Sequence, residues 1–426
     1  MSSGSLLYST IGDLLRQRRI DTGISVHQLQ EMSGVHRTSI TRIENGEIKR
    51  PEFVTVQRIA NAMNIPFEET VEYYICADQK SDTLFLILED TIPTGNISLT
   101  SKVALKYLES PNEDSYDSIE RLYNTTSTCK ADPALKLSLF QSIVSYARDH
   151  GVMPYIAKGQ LQSYLIERND FTKLKATYYN GRYILPYSHF LSTEERIMLH
   201  YKLGVHSYNL RLFQESIELC SVIVAQNDFQ GQTKADAIGI MCDSYERLGN
   251  YEKAEEYLKL YDTYTYKHVK EHVKVTTATL HDKKGNTALA ISLFNELLEK
   301  VSENSLLHVV NKLIKLQQKM NNLLEIEKLL TFEEKITSFS YTSPYKQSEL
   351  ALFYKLKGDY QVAMGEIIEG ANCYLESALK YAKVDDSKNE RLCIGLILDL
   401  QINNSSILDN LILKKLRSVY CHPENI

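Results

Sequence analysis

The sequence predicts an all-α chain in two parts: a small N-terminal head of short helices, then a long array of paired helices. Three observations carry this. Apolar residues recur at helical spacing, and no stretch alternates as a half-buried strand does. Glycines at 23, 34 and 46 cut the first 65 residues into short segments. Further on, Arg211, Gly249, Gly285, Asn321 and Gly358 follow one another at steps of 38, 36, 36 and 37 residues, a period that belongs to stacked helical pairs.

The head begins with a helix whose apolar face is Ile11, Leu14 and Leu15, and which ends at Gly23. Ser25 is placed to cap a second helix, with Leu29 and Met32 turned inward, and Gly34 ends it. The turn Gly34-Val35-His36 leads into a third helix over 37–45, with Ile40 and Ile43 on its buried face. Gly46 closes that helix, and Pro51 opens a fourth whose stripe is Val54, Ile59, Ala60 and Met63. Two short helices around a three- to four-residue turn containing glycine make a helix-turn-helix arrangement. The free face of the third helix then carries Arg37, Thr38, Ser39, Thr41 and Arg42, with Lys49 just beyond it. Short hydroxyls and long cations are the chemistry that reads base edges and phosphates. The chain has a formal charge of −6, which excludes a protein coated in nucleic acid along its length. Residues 1–65 nevertheless hold eight Lys and Arg against six Asp and Glu. The positive charge thus lies where double-stranded DNA would dock.

Residues 66–74 continue as helix, and the polar stretch 77–82 reads as a hinge. The expected domains are therefore a DNA-binding head at 1–76, a linker at 77–97 and a repeat domain at 98–426. Two copies of the repeat are plain. Tyr245, Gly249, Tyr251, Ala254 and Leu258 stand where tetratricopeptide repeats place an aromatic, a turn glycine, an aromatic, a small and a bulky residue. Tyr354, Gly358, Tyr360 and Ala363 repeat the pattern, and Gly285, Ala290 and Phe294 give part of it. The small residues let two helices cross closely while the aromatics fill the gap between them, so these positions are scaffold. A solenoid of such pairs presents the first helix of each pair on its concave side. Counting outward from the loops places Tyr201, Tyr208, Asn209, Asp243, Glu246 and Arg247 there, then Thr279, His308, Asn311, Lys315, Gln318 and Lys355. Amides can pair with the main chain of an extended peptide, and charges can select its ends or side chains.

Enzyme chemistry finds no support. The 11 histidines form no HExxH or helical ligand pair, and no phosphate-binding glycine loop or nucleophile elbow is present. His281 and Asp282 are adjacent, and neighbours on a helix point apart. The seven cysteines lie far apart without a CxxC pair and read as reduced, small apolar residues. No metal or cofactor is expected. The start lacks the form of a signal peptide, and apolar runs such as 84–88 are far too short for a bilayer. A cytoplasmic, non-enzymatic protein with no membrane partner is the expectation.

The head resembles the Cro and λ-repressor class of helix-turn-helix, through Arg19, Gly23, Leu29, Gly34, Val35, Ile40, Ile43, Glu44, Gly46 and Pro51. The resemblance implies that Arg19 braces the recognition helix through an ion pair with Glu44. Two positions depart from it. The class often has Gln, touching phosphate, where Val26 stands, and a capping Ser where His36 stands. Such a head on tetratricopeptide-like repeats resembles the peptide-pheromone-sensing regulators of Gram-positive bacteria, the Rap–Rgg–NprR–PlcR–PrgX group, in length most like the NprR branch. That resemblance implies a quorum-sensing transcriptional regulator: a short signalling peptide on the concave face, a homodimer or higher homo-oligomer, and DNA held by the head. It also implies an alternative partner, a phosphorelay response regulator bound by the helical body, and an alternative setting in phage lysogeny or plasmid conjugation.

Overall fold

The computed structural model describes residues 9–111, 113–403, 414, 416 and 417, so Cys421 and the far end of the expected repeat domain lie outside it. Every regular element among the described residues is helical. The chain divides into two units, Met1–Glu167 with Pro186–Leu191, and Arg168–Leu185 with Ser192–Ile426.

In the first unit the head is α1 (Ile11–Asp21), α2 (Val26–Ser33), α3 (Arg37–Glu44), α4 (Phe53–Ala62) and α5 (Phe67–Tyr74). Its boundaries follow local chemistry. Thr10 caps α1, accepting from the Asp13 amide at 3.1 Å. Ser25 and Gln28 form a reciprocal capping box on α2, which satisfies amides that a helix start leaves open. Gly34 (φ 70°) and Gly46 (φ 68°) sit in the left-handed region that ends a helix cheaply only with glycine. Ile11, Leu14, Leu15, Leu29, Ile40, Ile43, Val56 and Ile59 close the core. Met32 and Val54, expected inside, are more than half exposed, and Phe53 and Val56 take the inward places on α4.

The rest of the unit is α6 (Ser81–Thr91), α7 (Ile97–Leu108), α8 (Ser115–Thr128), α9 (Pro133–Asp149) and α10 (Met153–Glu167). The interval 77–97 expected as a linker thus holds α6, whose Leu84, Phe85, Ile87 and Leu88 are buried. The polar hinge is also tied down: Gln79 is buried and donates to the Tyr74 carbonyl at 3.1 Å. Arg121 lies 3.7 Å above the Phe85 ring, and Phe85 packs at 5.1 Å from Tyr107. One apolar core runs from Ile11 to Ile156. The physical reason is that α6 is apolar enough to demand cover, and α7 and α8 supply it.

The second unit starts with α11 (Leu174–Arg182) and stacks helical pairs: α12 (Thr193–Asn209) with α13 (Phe213–Val224), α14 (Gln232–Arg247) with α15 (Tyr251–Tyr261), and α16 (Lys267–Lys283) with α17 (Thr287–Leu298). Then come α18 (Glu303–Lys319) with α19 (Leu323–Leu330), a short α20 (Glu333–Thr337), α21 (Pro344–Ala363) with α22 (Ile367–Ala382), and α23 (Ser387–Asn403). The predicted loop positions Arg211, Gly249, Gly285 and Asn321 all have positive φ, between 57° and 88°. Five residues after each loop comes a buried residue on the second helix: Ser216, Ala254, Ala290 and Ile326.

The fifth loop is displaced. Gly358 lies inside α21, and the loop residue is Gly365, with φ 88°. Ala363 is correspondingly exposed, and Gly370 takes the small buried place. Gly358 serves a close helix crossing instead. A Cβ there would meet the Tyr374 ring at 2.7 Å and the Gly370 carbonyl at 3.1 Å.

The start of this unit meets the turn that follows α22. The amide of Lys175, at the open start of α11, donates to Asp385 at 2.9 Å, and Arg211 pairs with Asp386 at 2.7 Å. A carboxylate at a helix start satisfies an otherwise open donor.

Candidate functional site

Two places in the chain gather chemistry. The first is the outer face of α3. Arg37, Thr38, Thr41, Arg42 and Lys49 are exposed, and Ser39 is half-buried. Nothing in the core needs these side chains. The opposite face is held firmly. Arg19 reaches from α1 to the buried Glu44 carboxylate through Nε at 2.7 Å and Nη2 at 2.8 Å. A bidentate, charge-assisted pair of this kind fixes orientation as well as energy. The hydrogen bonds to Glu44, outweighing the cost of burial, hold the Arg19 guanidinium above its ordinary pKa. Gly12 lets α1 approach α3, since a Cβ there would collide with the Ile43 carbonyl.

At the two positions that depart from the class pattern, His36 does cap α3, its Nδ1 accepting from the Thr38 amide at 3.3 Å. Val26 packs against the core and offers no donor. Gln30 was not singled out from sequence. Its Oε1 accepts from the Arg37 amide at 2.8 Å, tying α2 to the start of α3. Arg42 lies 3.5 Å from Glu47, with both groups about half exposed. Such a pair is weak in water and opens readily.

The second place is in the repeat unit, where two adjoining cavities of about 340 and 330 Å³ share Tyr208, Arg247, Thr279, Lys312 and Tyr345 in their walls. Of the residues expected on a concave face, Asn209, Asn311 and Lys315 line the larger cavity, and Asp243, Glu246 and His308 the smaller. Three others stand apart from both. Tyr201 turns its hydroxyl to Asp236 at 3.4 Å. Gln318 faces the Leu356 carbonyl at 3.5 Å, and Lys355 pairs with Asp359 at 2.6 Å. Each finds a partner on its own or a neighbouring helix.

Asn311 also differs from expectation. It is 1% exposed, and its Nδ2 donates to the Glu349 carbonyl at 2.8 Å and to Glu349 Oε2 at 2.9 Å. Its nitrogen is therefore committed to α21. α21 was not predicted to supply wall residues here beyond Lys355, yet it supplies Tyr345 and Glu349. The ring of Tyr345 lies 5.9 Å from Tyr208, and its hydroxyl 3.1 Å from His308 Nδ1.

Charges in the walls are strongly perturbed. Burial pushes the Glu349 carboxyl up, but His308 at 3.3 Å, Asn311 and the Arg247 charge pull it further down, so it stays ionised well below the usual carboxylate range. Burial holds the His308 imidazole below its ordinary value despite Glu349. Asp243 behaves like Glu349: burial raises it, and His272 at 3.0 Å more than offsets that. Burial and then the Arg247 charge bring Lys312 down to about 8.

Among the described residues no group of His, Cys, Asp or Glu gathers as a metal site would. None of the helices is long and apolar enough to cross a membrane.

Residues 15–69 match a helix-turn-helix family. Over 59 residues the chain is 39% identical to the HTH-type transcriptional repressor RghR of Bacillus subtilis, a span covering 14% of this chain and 44% of that protein. The chain therefore spans less than half the length of this curated relative. Among solved structures, a tetratricopeptide repeat protein from Parabacteroides merdae aligns with 66% of this chain and 98% of its own, at 16% identity and a TM-score of 0.46. Bacillus thuringiensis PlcR, solved in complex with the peptide PapR7 and DNA, aligns with 91% of this chain and 99% of its own, at 12% identity and a TM-score of 0.29. It is the sequence match, joined to the capped α2–turn–α3 geometry and the Arg19–Glu44 brace, that identifies the segment 15–69 as a helix-turn-helix domain.

Proposed function

We propose that this chain is a transcriptional regulator. Its head, residues 1–76, reads double-stranded DNA through Arg37, Thr38, Ser39, Thr41 and Arg42, with Lys49 on the phosphate backbone. The observation that carries this is the outer face of α3: exposed cations and hydroxyls on a helix whose inner face is locked by Arg19 and Glu44. One recognition helix reads too few base pairs for useful specificity, so two copies act on a near-palindromic site. Such a protein works in the cytoplasm, beside its DNA.

The walled space in the repeat unit takes the signal, a short peptide. Tyr208, Asn209, Asp243, Glu246, Arg247 and Lys315 offer it mixed polar groups. Cavities of this size stand at the low end of ligand pockets, roughly 300–1,000 Å³. The peptide regulates by binding one arrangement of the protein more tightly than another.

The test of the DNA reading is selection of bound sequences from random duplexes by the full chain, followed by footprinting. The expected result is a two-fold symmetric site whose protection is lost in the Arg37→Ala/Arg42→Ala variant. Unchanged protection in that variant would remove α3 from recognition.

A further inference from the structure

Most cations in the larger cavity have a carboxylate in reach. Arg211 is 2.7 Å from Asp386, Lys319 is 3.1 Å from Asp282, and Arg247 and Lys283 lie 3.4 and 3.7 Å from Glu246. Lys312 and Lys315 differ. Both line the cavity, yet neither has an ion pair among the described residues. The nearby acids are already taken, Glu349 by His308 and Asn311, and Glu246 by Arg247 and Lys283. The two lysines stand three residues apart on α18, the spacing at which like charges face each other and destabilise a helix. Burial makes this worse for Lys312 and holds its ammonium well below the ordinary value. A ligand-free wall with this defect gains from any anion that can enter.

A second, independent observation lies beside the lysines. Asn311 lines the same cavity and is 1% exposed; while Nδ2 is bonded to Glu349, Oδ1 has no hydrogen-bond partner in the protein. A buried acceptor left open destabilises the fold, so it too gains from a ligand, in this case from an N–H donor. Asn311 and Lys315 are four residues apart on one helix and share a face.

We propose that the cavity recognises a carboxylate-bearing peptide, the carboxylate lying between the ammonium groups of Lys312 and Lys315 and a peptide N–H donating to Asn311 Oδ1. The proposal rests on the reading of this cavity as the ligand site. It narrows the ligand from any peptide to one that brings an anionic group and an amide N–H together, as a chain terminus or an Asp or Glu residue does.

Three pools of random synthetic hexapeptides test it against the full chain. One has free C-termini and no Asp or Glu, one has amidated C-termini with Asp and Glu allowed, and one has amidated C-termini without either. Peptides that co-elute with the protein are identified by mass spectrometry. Retention from the first or second pool, and not the third, is expected, and it tells a terminal carboxylate from a side-chain one. In Lys312→Gln/Lys315→Gln, retention should fall about ten-fold or more, with unchanged circular dichroism, while Lys312→Arg/Lys315→Arg should keep it. Equal retention of the third pool, or a loss in the Arg variant as large as in the Gln variant, would overturn the carboxylate site while leaving the cavity as a peptide site. Retention from no pool would overturn the ligand reading itself, and this proposal with it.

Discussion

Replacing Arg19 by alanine strands the Glu44 carboxylate, which is 4% exposed and accepts two charge-assisted hydrogen bonds from the guanidinium at 2.7 and 2.8 Å. Removing one partner of a buried pair costs about 3–5 kcal/mol, because the remaining charge is neither solvated nor paired. Whole domains are stable by only about 5–15 kcal/mol, so the head should lose a large share of its stability. At about 1.4 kcal/mol per factor of ten, amide exchange at Ile40 and Ile43 should quicken by about a hundred- to a few-thousand-fold. Hydrogen-exchange mass spectrometry on the full chain reads this directly, with amides of α18 as an internal control. The double variant Arg19→Met/Glu44→Leu should recover most of the protection, since an apolar pair of similar volume often matches a buried ion pair. Exchange in Arg19→Ala within ten-fold of the parent would refute the brace. If DNA binding were lost at the same time, Arg19 would be a phosphate contact instead.

Other consequences follow from the same geometry. Lys49→Ala should weaken DNA binding evenly across sequences and reduce the slope of log affinity against log salt by about one, measured by titration at several salt concentrations. Gly358→Ala should destabilise the repeat unit by about 1–3 kcal/mol, because its new methyl would need the space of the Tyr374 ring; urea unfolding measures it. Asn311→Ala should cost the buried Glu349 a hydrogen bond and lower stability by about 1–3 kcal/mol, whereas Asn209→Ala should leave the same unfolding midpoint. Burial lowers the His206 imidazole to about 4, so the folded unit resists its protonation while the unfolded chain accepts it near 6.5. The stability this group allows is therefore complete above pH 6.5 and is lost as pH falls from there to 4, by ~3 kcal/mol at most. A His206→Leu variant should show a flatter acid unfolding curve over that window.

Four of the five loop positions were legible because their spacing is regular, and Gly249, Gly285 and Asn321 are also residues that tolerate positive φ. The fifth was not, because glycine has two separate uses. At 249 and 285 it supplies positive φ, but at 358 it supplies absence of a side chain, so that α21 and α22 can touch. Lys284-Gly285-Asn286 and Lys357-Gly358-Asp359 look alike in sequence. Asn311 shows a similar ambiguity. A mid-helix amide signals a polar task, and nothing local reveals that its nitrogen serves Glu349, 38 residues later. The face of α3 was readable because its pattern is local, contained in one turn and one helix. The cavity walls were only partly so. Tyr345 and Glu349 reach the cavity through the stacking of α21, which no single repeat encodes, and the displaced loop had put α21 out of register.

The contact of Asp385 and Asp386 with the start of the repeat unit changes how that unit can be made. A simple repeat array folds by neighbours, each pair settling on the one before it. Here Lys175 must wait for an acceptor 210 residues later, and Arg211 for one 175 residues later. At about 5–20 residues per second of synthesis, the ribosome emits Arg211 roughly ten to thirty-five seconds before Asp386. Through that interval the early pairs can stack, but the open start of α11 and the Arg211 guanidinium face water or a chaperone. Closure is thus a late, single event that depends on α21 and α22 being present and correctly seated. A nascent chain stalled before Asp385 would carry α11 to α22 and still lack the contacts that tie Lys175 and Arg211 to the turn after α22.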